Sequence, residues 1–128
     1  MYRVQISGSG LFTPTESISN EELVDSFNKF VDEHNKDHQE EIKNGSVQHL
    51  EKSSVEFIEK ASGVKSRFVQ NKSGILDTSF MRPHLRERRE DELSNLAEMG
   101  VAAAKEAIQN SDISVNDLDA VIVACSNL

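Results

Sequence analysis

A chain of 128 residues, 37% hydrophobic and 28% charged, has the length and balance of one soluble globular domain, and its 5% aromatic share predicts some solvated helix or loop. The net charge of −8 argues against partners that select Lys and Arg, such as nucleic acid or an anionic membrane. The single cysteine, Cys125, allows no intrachain disulfide, and with neither a secretory leader nor a run approaching ~20 apolar residues, a soluble cytoplasmic protein is expected.

Val4 and Ile6 alternate with polar residues ahead of Gly8-Ser9-Gly10, which predicts a first strand over residues 2–12, closed before Pro14. The two glycines begin like a dinucleotide-binding loop. Thr13 holds the third glycine position, however, and no helix opens at once, so close backbone packing explains them better. Ser19-Asn20-Glu21-Glu22 is a capping box, and Leu23, Val24, Phe27, Phe30 and Val31 follow at helical spacing.

That pattern thins into the polar run 32–41 and leaves Ile42 isolated before Asn44-Gly45. Ser53 with Glu56 offers a second capping box, followed by Val55, Phe57 and Ile58 and closed by Gly63. Residues 70–92 lack periodicity and read as a long irregular insertion. Leu93, Leu96, Ala97, Gly100, Ala103, Ala104, Ala107 and Ile108 then define a helix with a small-residue face suited to close packing. Residues 119–125 read as a buried strand. The order predicts an α/β arrangement in which two parallel strands are joined by a right-handed crossover, with the sheet incomplete if the chain truly ends at Leu128.

Isolated chemical signals are weak. His34 and His38 lie four apart but lack the Glu that a metalloprotease helix places after the first His, so a solvated face is expected and no metal is assigned. Cys125 ends the last apolar run without an identifiable His partner, which favours a small buried thiol over a nucleophile. Arg82, Arg86, Arg88 and Arg89 sit among Glu87, Glu90, Asp91 and Glu92, and local pairing competes with phosphate or carrier binding.

Three stretches in order are more specific: Ile6 to Pro14 with Ser19 to Leu23, the block Ser53 to Arg67, and Leu96-Ala97 with Asp117 to Ala124. Together they resemble the β-ketoacyl-acyl-carrier-protein synthase III family. The resemblance implies a thiolase-like fold, of which residues 1–128 form the N-terminal part of the first α/β half, with an insertion at about 32–92. It implies a decarboxylative Claisen condensation in fatty-acid or polyketide synthesis, with a Cys, His and Asn expected beyond Leu128, so that this portion alone is inactive. It further implies acyl carrier protein and acyl-coenzyme A as partners, an acyl thioester as substrate, no cofactor, and a homodimer.

Within the block the resemblance points to Ser53, Phe57 and Ser62 as part of a thioester entrance. Phe57 aligns with a residue that is normally Trp and stacks on adenine, although a core role on the helix face is an equal alternative. Ala61 replaces an Arg, and Ser62 replaces the Thr before Gly, which together point away from acetyl-coenzyme A toward a longer or differently carried primer. Arg67 reads as a structural ion-pair partner. From a different class, a small noncatalytic thiolase-like binding or scaffold protein is the competing expectation.

Overall fold

The structure, a computed structural model, describes residues 4–125, which form two compact units: residues 14–86, and residues 4–13 together with 87–125. The predicted strand positions 2 and 3 lie outside the described residues.

In the first unit, β1 (Glu16–Ser19) runs directly into α1 (Asn20–Asp37). The expected capping box is present: Ser19 Oγ accepts from the Glu22 N–H at 3.2 Å, and the Glu22 carboxylate accepts from the Ser19 N–H at 3.0 Å. Val24 and Val31, two helical turns apart on one face, are buried with Ile18. Glu22 also pairs with Lys72 Nζ at 2.5 Å. Hydrogen bonding from Lys72, then from the Ser19 backbone, holds the Glu22 carboxyl below its ordinary value.

A depressed carboxylate adds stability above its unfolded value of about 4.3, and that stability is lost as pH falls through the lowered folded value. Glu22→Gln should therefore flatten the acid limb of the unfolding midpoint, followed by denaturant titration from about pH 6 to about pH 3. An acid limb as steep as that of the parent protein would remove Glu22 from this linkage.

Beyond α1, α2 (Gln39–Lys43) ends at Asn44-Gly45, and the chain turns back along α1. Two asparagine side chains fasten it. Asn35 Nδ2 donates to the Leu50 carbonyl at 2.9 Å while its Oδ1 accepts from the Leu50 N–H at 3.0 Å. Asn28 does the same for Ser53, donating at 3.0 Å and accepting at 2.9 Å. The spacings match: seven residues of helix rise about 10.5 Å, and three residues of extended chain span about 10 Å. Lys52 and Asp32 add an ion pair at 2.7 Å between the two clasps. The polar run 32–41, where a mostly solvated helix is expected, includes one of the two fastenings.

α3 (Val55–Ser62) ends in Gly63, whose φ of 70° is the left-handed cap expected for glycine. Its N-cap is Ser54, not Ser53: Ser54 Oγ accepts from the Phe57 N–H at 3.1 Å. The predicted box was displaced by one residue because Asn28 fixes the Ser53 backbone in the preceding extended segment. β2 (Ser66–Val69) pairs antiparallel with β1, with Ile18 opposite Arg67 and Ser17 opposite Phe68. α4 (Lys72–Leu76) opens the stretch predicted to be irregular, and Asn71 caps it through the Gly74 N–H at 3.0 Å.

The chain is therefore α/β, but its sheet among the described residues is this two-stranded antiparallel ribbon. Residues 4–12 and 119–125 carry no ladder partner, so neither expected strand nor their parallel pairing is formed among those residues. A period of two in the sequence marks a chain able to be a strand, whereas a strand exists only where a neighbour supplies hydrogen bonds.

The second unit centres on α5 (Asn95–Gln109), the helix predicted from its small-residue repeat. Ser94 caps it by accepting from the Ala97 N–H at 3.1 Å. Residues 8–11 lie along this helix. The Leu11 N–H donates to the Glu106 carboxylate at 2.9 Å, and Asn110 Nδ2 donates to the Ser9 carbonyl at 3.1 Å. A Cβ at Gly8 would strike the Ala107 carbonyl, and one at Gly10 the Ala103 carbonyl, so close approach is the reason for both glycines. A single 3₁₀ turn, Val115–Asp117, precedes the extended end.

Candidate functional site

The residues expected at a thioester entrance lie on and just before α3. Phe57 is 66% exposed on that helix and contributes little to the core, which leaves its ring free to stack. Ala61, one turn further along the same face, is also exposed and offers only a methyl group. The helix face thus presents an exposed aromatic ring with no guanidinium at the position one turn beyond it.

Ser62 is used locally. Its hydroxyl donates to the Ile58 carbonyl at 2.7 Å and accepts from the Val64 N–H at 3.2 Å, closing the helix end above Gly63. Ser53 is half-buried, with its backbone held in both directions by Asn28. It borders a partly open recess of about 280 Å³, also lined by Leu23, Val24, Ser26, Phe27, Ile58, Ile75 and Met81. Nothing in the sequence periodicity marked this recess, because its walls come from α1, α3, α4 and the loop that follows.

The remaining candidates resolve differently. Among the described residues Arg67 has no ion-pair partner: its Nη1 donates to Oδ1 of the buried Asn20 at 2.9 Å, while Asn20 Nδ2 donates to the Val64 carbonyl at 2.7 Å. A neutral amide can satisfy a cation and a carbonyl at once, which a carboxylate cannot. Cys125 is exposed, contrary to the expectation of a buried thiol, because its segment has no sheet around it among the described residues.

His34 and His38 stack with ring centroids 4.5 Å apart, and the His38 Nδ1 lies 3.0 Å from the His34 carbonyl. Among the described residues no group of three or more His, Cys, Asp or Glu could hold a metal ion. The arginine-rich run is engaged at home. Arg88 binds Glu98 and the Leu93 carbonyl, each at 2.7 Å, and also Asn95, and hydrogen bonding to Glu98 holds its guanidinium above the ordinary value. Arg89 pairs with Asp91 at 2.9 Å, and Arg82 lies 4.4 Å from the centroid of the Phe80 ring.

Among the described residues no helix is long and apolar enough to cross a membrane. No family model matches the chain. It is similar to a beta-ketodecanoyl-acyl-carrier-protein synthase of Pseudomonas aeruginosa, with 57% identity over 105 residues, which is 82% of this chain and 30% of that protein. It is also similar to a beta-ketoacyl-acyl-carrier-protein synthase III of Clostridium botulinum, with 38% identity over 78 residues, 56% of this chain and 24% of that protein. The chain spans less than a third of the length of either relative.

Proposed function

Because the chain belongs to the β-ketoacyl-acyl-carrier-protein synthase III family, we propose that it forms the opening part of a thiolase-like condensing enzyme, cytoplasmic and homodimeric, that joins an acyl thioester to malonyl-acyl-carrier protein. In that reaction a cysteine thiolate takes the acyl group and releases the first thiol. Malonyl-carrier protein then loses carbon dioxide, and the resulting carbanion attacks the acyl-enzyme carbonyl and expels the thiolate. Cys125 does not match the nucleophile's motif in this family, and the Cys, His and Asn of the reaction are assigned to other segments of the protein. This chain contributes the thioester entrance through Ser53, Phe57 and Ser62.

The observation that carries this reading is the 57% identity to a relative named for a ten-carbon β-keto product. Each condensation adds two carbons, so the primer of such a product has eight. The exposed Phe57 with Ala61 beside it agrees, since it offers stacking without the cationic contact expected for acetyl-coenzyme A. No metal or redox cofactor is needed for this chemistry.

The test is condensation by the full-length protein with malonyl-acyl-carrier protein and acetyl-, octanoyl- or longer acyl-coenzyme A. Octanoyl-coenzyme A should exceed acetyl-coenzyme A in kcat/KM by at least about tenfold, since even one methylene in an apolar pocket is worth about that much. A preference for acetyl-coenzyme A would overturn the primer assignment, and no condensation with any primer would overturn the activity.

A further inference from the structure

No residue of α3 is buried, so the helix that carries Phe57 has no core of its own to hold it in place. Val55 and Ile58 are only half-buried, and Ile58 lines the partly open recess whose other walls include Leu23, Val24 and Phe27 of α1. Both ends of α3, by contrast, are tied to α1 through asparagine. Ahead of the helix, Asn28 Nδ2 donates to the Ser53 carbonyl at 3.0 Å and its Oδ1 accepts from the Ser53 N–H at 2.9 Å. Behind it, Asn20 Nδ2 donates to the Val64 carbonyl at 2.7 Å, and the Asn20 N–H donates to the Lys65 carbonyl at 3.2 Å.

We propose that Asn20 and Asn28 are positioning residues of the thioester entrance, setting where α3 and its Phe57 ring stand on α1, an inference that rests on the condensing reading and adds the groups that hold its entrance in place.

The spacing of the ties fits that role. Asn20 and Asn28 are eight residues apart on α1, a rise of about 12 Å, and the eight residues of α3 have the same length. Ser53 meets the later asparagine and Val64 the earlier one, so α3 runs antiparallel to α1. A single tie lets a helix pivot, whereas two fix both its height and its direction. The Asn20 amide is itself oriented, because Arg67 Nη1 donates to its Oδ1 at 2.9 Å and leaves Nδ2 for the carbonyl. Phe57 lies in the first turn of α3, with its N–H held by Ser54 Oγ at 3.1 Å, so a shift at Ser53 passes directly to the ring.

The chemical consequence follows from the length of coenzyme A. A ring that stacks on the adenine sits at one end of the molecule and the reacting thioester at the other, so a displaced ring forfeits either the stack or the alignment. Misplacement by about 1 Å can cost about 100-fold in rate.

The test uses the full-length protein with malonyl-acyl-carrier protein and two primers, octanoyl-coenzyme A and octanoyl-pantetheine, which share the thioester but not the adenine nucleotide. Phe57→Ala should lower the ratio of their kcat/KM values by about tenfold, the scale of one base stacked on an aromatic ring. Asn28→Ala should lower it by about as much, chiefly through KM for octanoyl-coenzyme A. Asn20→Asp, which keeps the bond from Arg67 and loses the one to Val64, should lower it as well. Combining Asn28→Ala with Phe57→Ala should lower it no further than Phe57→Ala alone, since no ring is left to position. A merely structural role changes the amount of folded enzyme, which cancels from the ratio.

If Phe57→Ala lowers the ratio and an asparagine variant does not, that asparagine is not a positioning residue and the condensing reading stands. If Phe57→Ala also leaves the ratio unchanged, α3 carries no platform to position; the role of both asparagines is overturned while condensation remains. If no primer is condensed, both readings fall together. Should Asn28→Ala fail to fold, Asn28→Asp decides: it still accepts from the Ser53 N–H but cannot donate to the carbonyl, and an unchanged ratio overturns the role of Asn28.

Discussion

Replacing Gly10 by alanine should destabilise the protein by about 3 kcal/mol, at the upper end of the usual cost of forcing a methyl group into occupied space. The added Cβ meets the Ala103 carbonyl and the Ala107 N–H, both backbone groups of α5, and the Glu106 Cβ at 2.9 Å. A flexible side chain could swing away, but a helix backbone cannot. Relief requires lifting residues 8–11 off the helix, which also breaks the bond from the Leu11 N–H to Glu106 and the one from Asn110 to the Ser9 carbonyl. Ser9→Ala is the matched control, since Ser9 is exposed and its backbone is unaffected; it should change stability by less than about 0.5 kcal/mol. Urea denaturation of both variants decides the matter, and equal midpoints would show that the close approach is not maintained in solution.

The second large effect is expected at Asn20, the buried polar side chain named in the core of the first unit. Asn20→Leu keeps the branching of the side chain but strips the Val64 carbonyl and the Arg67 guanidinium of their shared partner. Leaving such groups unpaired costs about 2–3 kcal/mol, more than the bonds themselves contribute. Asn20→Asp separates the two contacts. The carboxylate still accepts from Arg67 but presents an oxygen to the Val64 carbonyl, so it should remain less stable than the parent at neutral pH and recover part of the loss when the aspartate is protonated. A thermal midpoint unchanged in Asn20→Leu would mean that water replaces the amide.

Local grammar made much of this molecule readable in advance. The box from Ser19 to Glu22, the Gly63 cap and the small-residue repeat of α5 all arise from interactions within a few residues, and all three are present. The close-packing explanation of Gly8 and Gly10 also holds, although the surface they meet is α5 itself. What the sequence concealed depends on distant partners. Glu16-Ser17-Ile18-Ser19 and Ser66-Arg67-Phe68-Val69 have too little pattern to announce a ribbon, and they become strands only by pairing with each other. Val121, Ile122 and Val123 have ample pattern, yet without such a partner they remain exposed.

The candidate site divides in the same way. The place of Phe57 on a helix was legible from the local pattern, and the structure adds that its ring is exposed there. The hydrogen bonds of the Ser62 hydroxyl to the helix end were not legible, because they depend on how α3 closes at Gly63. The recess beside Ser53 was invisible because Leu23, Ile58, Ile75 and Met81 come together only after three helices and a loop have packed.

The paired asparagine clasps also divide the chain into places that can and cannot change length. Asn35 fixes Leu50 and Asn28 fixes Ser53, so one residue added between 50 and 53 would break the match to two turns of α1 and release one clasp or the other. Between 35 and 50 there is no such ruler. The exposed turn at Asn44-Gly45-Ser46 lies inside a loop already closed by Asn35, where doubling the length costs only about 0.6 kcal/mol in closure entropy. Homologous sequences should therefore vary in length at that turn and hold the Leu50-to-Ser53 interval constant, and a reporter peptide grafted at Gly45 would leave the clasped segment in register.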